Sequence, residues 1–198
     1  MSHCNFSSLC KSFAAIATFA TAVSLASASR AEPSPISPVV SAPDTRSADR
    51  NRMGGAFTYV GSKAELADLD AAIEKSVADF SFFTKGAARS KLREMATPKA
   101  WMRLSFVDGT IVVAQPGSAP TVSPDSGAPR TLRSEDGQDV RVAQRLFGRT
   151  LVQNVSMPGG SSHIEYTLGA DDRTLTVRVR TLSPKLSAPL VYTLTYRR

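Results

Sequence analysis

Cysteine is almost absent from this 198-residue chain, and both copies, Cys4 and Cys10, fall within its first ten residues. Beyond them the chain has no means of making a disulfide, a thiolate metal site or a cysteine nucleophile. Histidine is equally scarce, and only His163 lies beyond residue 3. No H-E-x-x-H or C-x-x-C occurs, so no metal is expected. A G-x-S-x-G elbow and a phosphate-cradling glycine loop are missing too, so no cofactor and no catalytic residues are expected. The chain reads as a binder or a structural module and not as an enzyme. It also lacks any apolar run long enough to span a bilayer well.

The one sizeable apolar run, Phe13 to Leu25, follows Lys11 and precedes small residues. That is the layout of a secretory signal peptide over residues 1–31, with cleavage after Ala28 or after Ala31. Both cysteines precede the run, whereas a lipoprotein attachment site would follow it. The expected location is therefore periplasmic or secreted. Arginine outnumbers lysine and alanine is abundant, a composition read here as bacterial. Loss of Lys11 and Arg30 with the leader takes the formal charge of +7 to about +5. Residues 32–52, "EPSPISPVVSAPDTRSADRNR", carry Pro, Ser and Ala without an apolar period, and are expected to be a disordered linker.

A single domain is expected over residues 53–198. "GGAFTYVGS" alternates between glycines and predicts a first strand. Ser62-Lys63-Ala64-Glu65 is a capping box. Leu66, Leu69, Ile73, Val77, Phe80 and Phe83 then recur at spacings of three and four, which predicts a helix near 63–83. A second helix near 87–95, with Ala88, Leu92 and Met95 inward, stops at Thr97-Pro98. After Pro98 the period becomes two. "WMRLSFV-DG-TIVVAQ" is a hairpin with Asp108-Gly109 at a type I′ turn. Short turns then separate runs of alternating residues down to the closing "PLVYTLTYRR".

The fold class is thus mainly β. A β-barrel or strongly curved antiparallel meander is expected, with one helix pair inserted after the first strand. Closure would pair the last strand with the first and remove the exposed edges. This element order resembles the calycin superfamily, the lipocalin and lipid-binding barrels, most of all the latter. The resemblance covers Gly54 to Arg198 and is one of order, not motif. The lipocalin G-x-W is replaced by Gly54-Gly55-Ala56-Phe57, and the terminal Arg-x-Tyr of lipid-binding barrels by Thr195-Tyr196-Arg197. The resemblance implies carriage of a small hydrophobic ligand and supplies no binding residue.

Polarity on the apolar phase of the strands points to candidate ligand-binding residues. Gln144, Gln153, Tyr166, Tyr192 and Tyr196 interrupt otherwise aliphatic faces. Buried polar groups need partners, and a ligand cavity would supply them. A filled core with hydroxyls at its rim would account for the same pattern. On the second helix Lys85, Arg89 and Arg93 stand four apart, a patch suited to an anionic membrane surface beside a barrel mouth. The aromatics follow the apolar phase and do not interleave with cations, so no nucleic-acid partner is expected. "GGSSHIEY" puts His163 and Glu165 on one strand face, read as a polar outer face. The expected function is binding of a small hydrophobic or amphipathic ligand in a barrel cavity. The alternative is a non-catalytic cell-envelope structural or interaction module.

Overall fold

A computed structural model describes residues 45–134 and 137–198. The expected signal peptide, both cysteines and most of the expected linker lie outside the described residues. The linker's last residues differ from expectation, because Thr45–Met53 forms a helix, α1. Its sequence, TRSADRNRM, offers one apolar anchor, and Met53 is fully buried. Too short to show an apolar period, the helix forms because that anchor packs into the barrel beside Phe57.

Ten strands form one antiparallel sheet. After β1 (Gly55–Tyr59) come the helices α2 (Lys63–Ser76) and α3 (Phe82–Ala96). Then follow β2 (Trp101–Val107), β3 (Thr110–Ala114), β4 (Thr121–Pro124) and β5 (Arg130–Arg133). The remaining strands are β6 (Asp139–Phe147), β7 (Thr150–Met157), β8 (Gly160–Leu168), β9 (Thr174–Leu182) and β10 (Leu190–Arg197). The order across the sheet is β4-β3-β2-β1-β10-β9-β8-β7-β6-β5. The closing strand pairs with the first, Thr58 opposite Arg197 and Tyr59 opposite Tyr196. The fold is a nearly closed antiparallel β-barrel with a helix pair after its first strand. Asp108 and Gly109 both have positive φ, 48° and 69°, as the type I′ hairpin requires.

Register sorts the inner face of the large wall into rows. One row carries Tyr196, Leu175 and Leu168; the next carries Leu194, Val177, Tyr166, Leu151 and Leu146. A third carries Tyr192, Val179, Ile164, Gln153 and Gln144. The row nearest the helix pair carries Leu190, Thr181, Ser162, Val155 and Val142. Every inner residue follows from strand alternation.

The barrel stays open at one seam, between β4 and β5, the two ends of the strand order. Side chains close it. Buried Ser123 on β4 donates to Gln144 Oε1 at 2.9 Å, and Gln144 Nε2 donates to Gln153 Oε1 at 2.7 Å. This relay spans the place where no backbone ladder runs.

The helix pair differs from expectation in its break. α2 ends at Ser76, not near residue 83. The Ser76 carbonyl accepts from the Ser187 N–H at 2.9 Å, and Ser187 Oγ accepts from the Asp79 N–H at 3.0 Å. The loop between β9 and β10 thus takes the hydrogen bonds that would have continued the helix. Leu69, Ile73 and Val77 are buried against Leu92, Ala96 and Leu190. The break shifts the phase beyond Val77, so Phe83 is 92% exposed and not inward. Only half of the capping box forms. Ser62 Oγ accepts from the Glu65 N–H, but the Glu65 carboxylate accepts from the Thr195 N–H at 3.2 Å, tying α2 to β10 where β1 has run out.

Candidate ligand-binding site

The two ends of the barrel are filled differently. At the α1 end Met53, Phe57, Leu104 and Ile111 pack with Leu151, Leu168 and Leu175 into one buried cluster. At the helix-pair end a cavity of about 210 Å³ remains. Its roof is the last turn of α3, with Leu92, Met95 and Ala96. Its wall is the inner face of β8, β9 and β10, from Ser162, Thr181 and Leu190 down to Tyr196. Met102 closes the side toward β2.

Of the five residues proposed from the sequence, Tyr166, Tyr192 and Tyr196 line this cavity. Gln144 and Gln153 lie in the same row as Tyr192 but outside the cavity lining, where they bond to each other and to Ser123. Their polarity on an apolar face serves the seam.

The tyrosines contribute three hydroxyls to the cavity lining. Among the described residues neither the Tyr166 nor the Tyr192 hydroxyl bonds to another protein group, and neither is sealed off, so both are available to a guest or to water. Burial raises the Tyr166 hydroxyl well above its ordinary pKa, with the neighbouring Tyr192 and Tyr196 adding to the effect. Burial likewise pushes Tyr192 up to about 12, with Tyr196 contributing. Tyr196 also rises to about 12 through burial, against a downward pull from the Lys99 backbone N–H. All three hydroxyls are therefore neutral donors at any physiological pH. The Tyr196 ring meets the Tyr59 ring edge-on, centroids 5.4 Å apart, and the Tyr59 hydroxyl is buried without a hydrogen-bond partner.

Further polar groups gather at the mouth. Lys99, between α3 and β2, is the one charged residue of the lining among the described residues; Thr97 and Gln115 accompany it. Ser162 and Thr181 face each other across β8 and β9, with their hydroxyls 2.9 Å apart. Sequence reasoning passed over these residues. Ser162 and Thr181 carry the same signal as the glutamines, a polar side chain on the inward phase. Lys99 and Gln115 stand outside the strands, where alternation assigns no face.

The cations of α3 are engaged within the helix pair. Arg89 donates to Glu74 at 2.7 Å and Arg93 to Asp70 at 2.9 Å, while Lys85 donates to the Ala78 carbonyl at 3.2 Å. The Arg89 guanidinium holds the Glu74 carboxyl below its usual range. From Ser62 to Thr97 there are six cations and six acids, so the lid carries no net charge.

His163 lies on the outer face. Its Nδ1 is 2.7 Å from Asn154 Oδ1 and its Nε2 is 3.4 Å from Glu165 Oε1. The Ser162 hydroxyl is engaged with Thr181 on the inward phase, the opposite side of the strand from His163.

No family model matches this chain, and no curated protein does. Solved structures do match. A fatty-acid-binding protein from Manduca sexta superposes with a TM-score of 0.50 at 13% identity, covering 74% of this chain and 99% of that one. A brain fatty-acid-binding protein of Drosophila melanogaster matches with a TM-score of 0.47 at 11% identity, covering 74% and 98%. A fatty-acid-binding protein of Schistosoma mansoni, in complex with arachidonic acid, matches with a TM-score of 0.44 at 10% identity, covering 76% and 98%. At this identity the first of these likenesses extends to the fold alone, a nearly closed antiparallel barrel with a helix pair after its first strand.

Proposed function

We propose that this protein binds a compact hydrophobic or amphipathic ligand in the cavity beneath α3, without catalysis. One observation carries the reading. The lidded half of the barrel keeps a cavity of about 210 Å³ whose walls are largely apolar and whose Tyr166 and Tyr192 hydroxyls bond to no protein group among the described residues. Pockets for small molecules combine such walls with a few convergent polar groups. Ligand pockets usually start near 300 Å³, so the guest is small or only partly enclosed. The Manduca protein of the same fold is named for binding fatty acid, which supports a guest of apolar character. Tyr166, Tyr192 and Tyr196 would contact it, and Lys99 at the mouth would meet a polar or anionic head.

The test is a cavity-filling variant. Val179→Trp puts bulk into the lined space. Titration with an environment-sensitive apolar fluorophore should show saturable binding to the native protein and at least a tenfold loss in Val179→Trp, about 1.4 kcal/mol. Circular dichroism should show the variant still folded. Equal affinity in a folded variant would refute the site.

Export belongs to the same reading, supported by the leader-like first 31 residues and by a cysteine-free remainder. Intact mass of the protein recovered from its source should begin at Ser29 or Glu32. Contact of the lid with a membrane would be carried by Phe82 and Phe83, 90% and 92% exposed and stacked edge-on beside Lys85. Arg89 and Arg93 would contribute little, because their charges are answered by Glu74 and Asp70.

A further inference from the structure

At the end of the barrel away from the helix pair a second concavity, of about 410 Å³, lies between α1, the chain just after β4 and the end of β6. Arg46 and Arg50 stand one helical turn apart on α1 and both line it. Arg145 lines it from β6, together with Leu146 and Phe147. Asp125 is the single acid among its described lining residues, and it is already paired with Arg50. Three guanidinium groups against one carboxylate leave the cleft with a charge of +2. Neither Arg46 nor Arg145 has a carboxylate partner among the described residues.

Arg145 is also held in place. Its guanidinium lies over the Phe147 ring, 5.0 Å from the centroid. Behind it, Gly127 turns with φ of +86°, and a Cβ there would meet the Arg145 side chain at 3.4 Å. The stem is thus pinned between a glycine backbone and an aromatic face. A guanidinium held over a ring face retains N–H groups free to donate, in the fork geometry that suits phosphate. The Phe147 ring remains 54% exposed beside it, which provides an apolar platform.

We propose that this cleft is a binding site for a small phosphate monoester carrying a flat apolar group, separate from the barrel cavity. A phosphate monoester carries about −1.5 to −2 charge at pH 7, which matches the two unanswered guanidiniums. The phosphoryl oxygens would accept from Arg46 and Arg145, and the flat group would lie against Phe147. Arg50 remains with Asp125 and fixes the spacing between α1 and the β4–β5 turn.

Phenyl phosphate is the probe, titrated into the full chain at low salt by calorimetry and by amide chemical-shift mapping. Saturable binding is expected, with shifts at residues 46–50 and 145–147. Arg145→Gln and Arg46→Gln should each weaken it by about tenfold or more, since each loses a charge-assisted hydrogen bond. Phe147→Ala should bring phenyl phosphate down to the affinity of inorganic phosphate. Fluorophore binding in the barrel should be unchanged in all three variants. No saturable binding, or unchanged affinity in both arginine variants, would overturn the site. Equal native affinity for phenyl phosphate and inorganic phosphate would overturn the ligand class.

Discussion

The α1 half and the lidded half of this barrel share one sheet and one alternation of residues, yet one is solid and the other hollow. In the solid half the inner residues include Met53, Phe57, Leu104, Ile111, Leu151, Leu168 and Leu175, all buried members of one packed cluster. In the hollow half the inner residues include Ser162, Thr181, Tyr166 and Tyr192, and α3 covers them with small Ala96 and with Met95, which is 56% exposed. A barrel of this fold does not decide by itself whether it encloses a ligand. Side-chain volume decides, row by row.

The largest effect that would sharpen this contrast is expected in the solid half. Phe57→Ala should cost about 3–5 kcal/mol by chemical denaturation, because the surrounding cluster has no way to collapse into the void. Gln144→Ala should cost about 1–3 kcal/mol, since Ser123 and Gln153 both lose a buried partner at the seam. Gly61→Ala should cost a similar amount of about 1–3 kcal/mol. A Cβ there collides with the Glu65 carboxylate and the Tyr59 ring, and Glu65 is the link from α2 to the Thr195 N–H. Tyr192→Phe in the hollow half should change stability by less than about 0.5 kcal/mol, because its hydroxyl bonds to no protein group among the described residues. It should instead weaken ligand binding.

Alkaline pH separates the halves in another way. Tyr192 and Tyr196 are raised in the folded protein from 10.0 to about 12. Between those values the unfolded chain has released protons that the folded one retains, so stability falls as pH rises. The contribution is complete below pH 10 and is lost as pH passes about 12. Denaturation midpoints measured across that window should decline, and Tyr192→Phe should decline less steeply than the native protein.

The sequence reveals what depends on alternation. Strand order, the DG hairpin, closure by "PLVYTLTYRR" and the inward phase of every long strand follow from period and turn chemistry. It hides what depends on partners distant in sequence. Gln144 and Gln153 share the sequence signature of the tyrosines, and only the position of Ser123 across the seam separates a structural relay from a lining. The end of α2 depends on Ser187, more than a hundred residues away. α1 has no period to read, because one buried methionine is all it contributes. Lys99 lies outside any strand, so no rule of alternation places it at the mouth.

The most direct test of a barrel half filled and half hollow is a chain-length series. Straight-chain carboxylates from hexanoate to palmitate would be used to displace a fluorophore bound in the cavity. Each buried methylene is worth about 0.8 kcal/mol. The account predicts that affinity climbs with length and then levels off well before palmitate, where the chain meets the floor of Leu151, Leu168 and Leu175 or projects past Lys99. A climb that continues undiminished to palmitate, or displacement by none of the series, would contradict it.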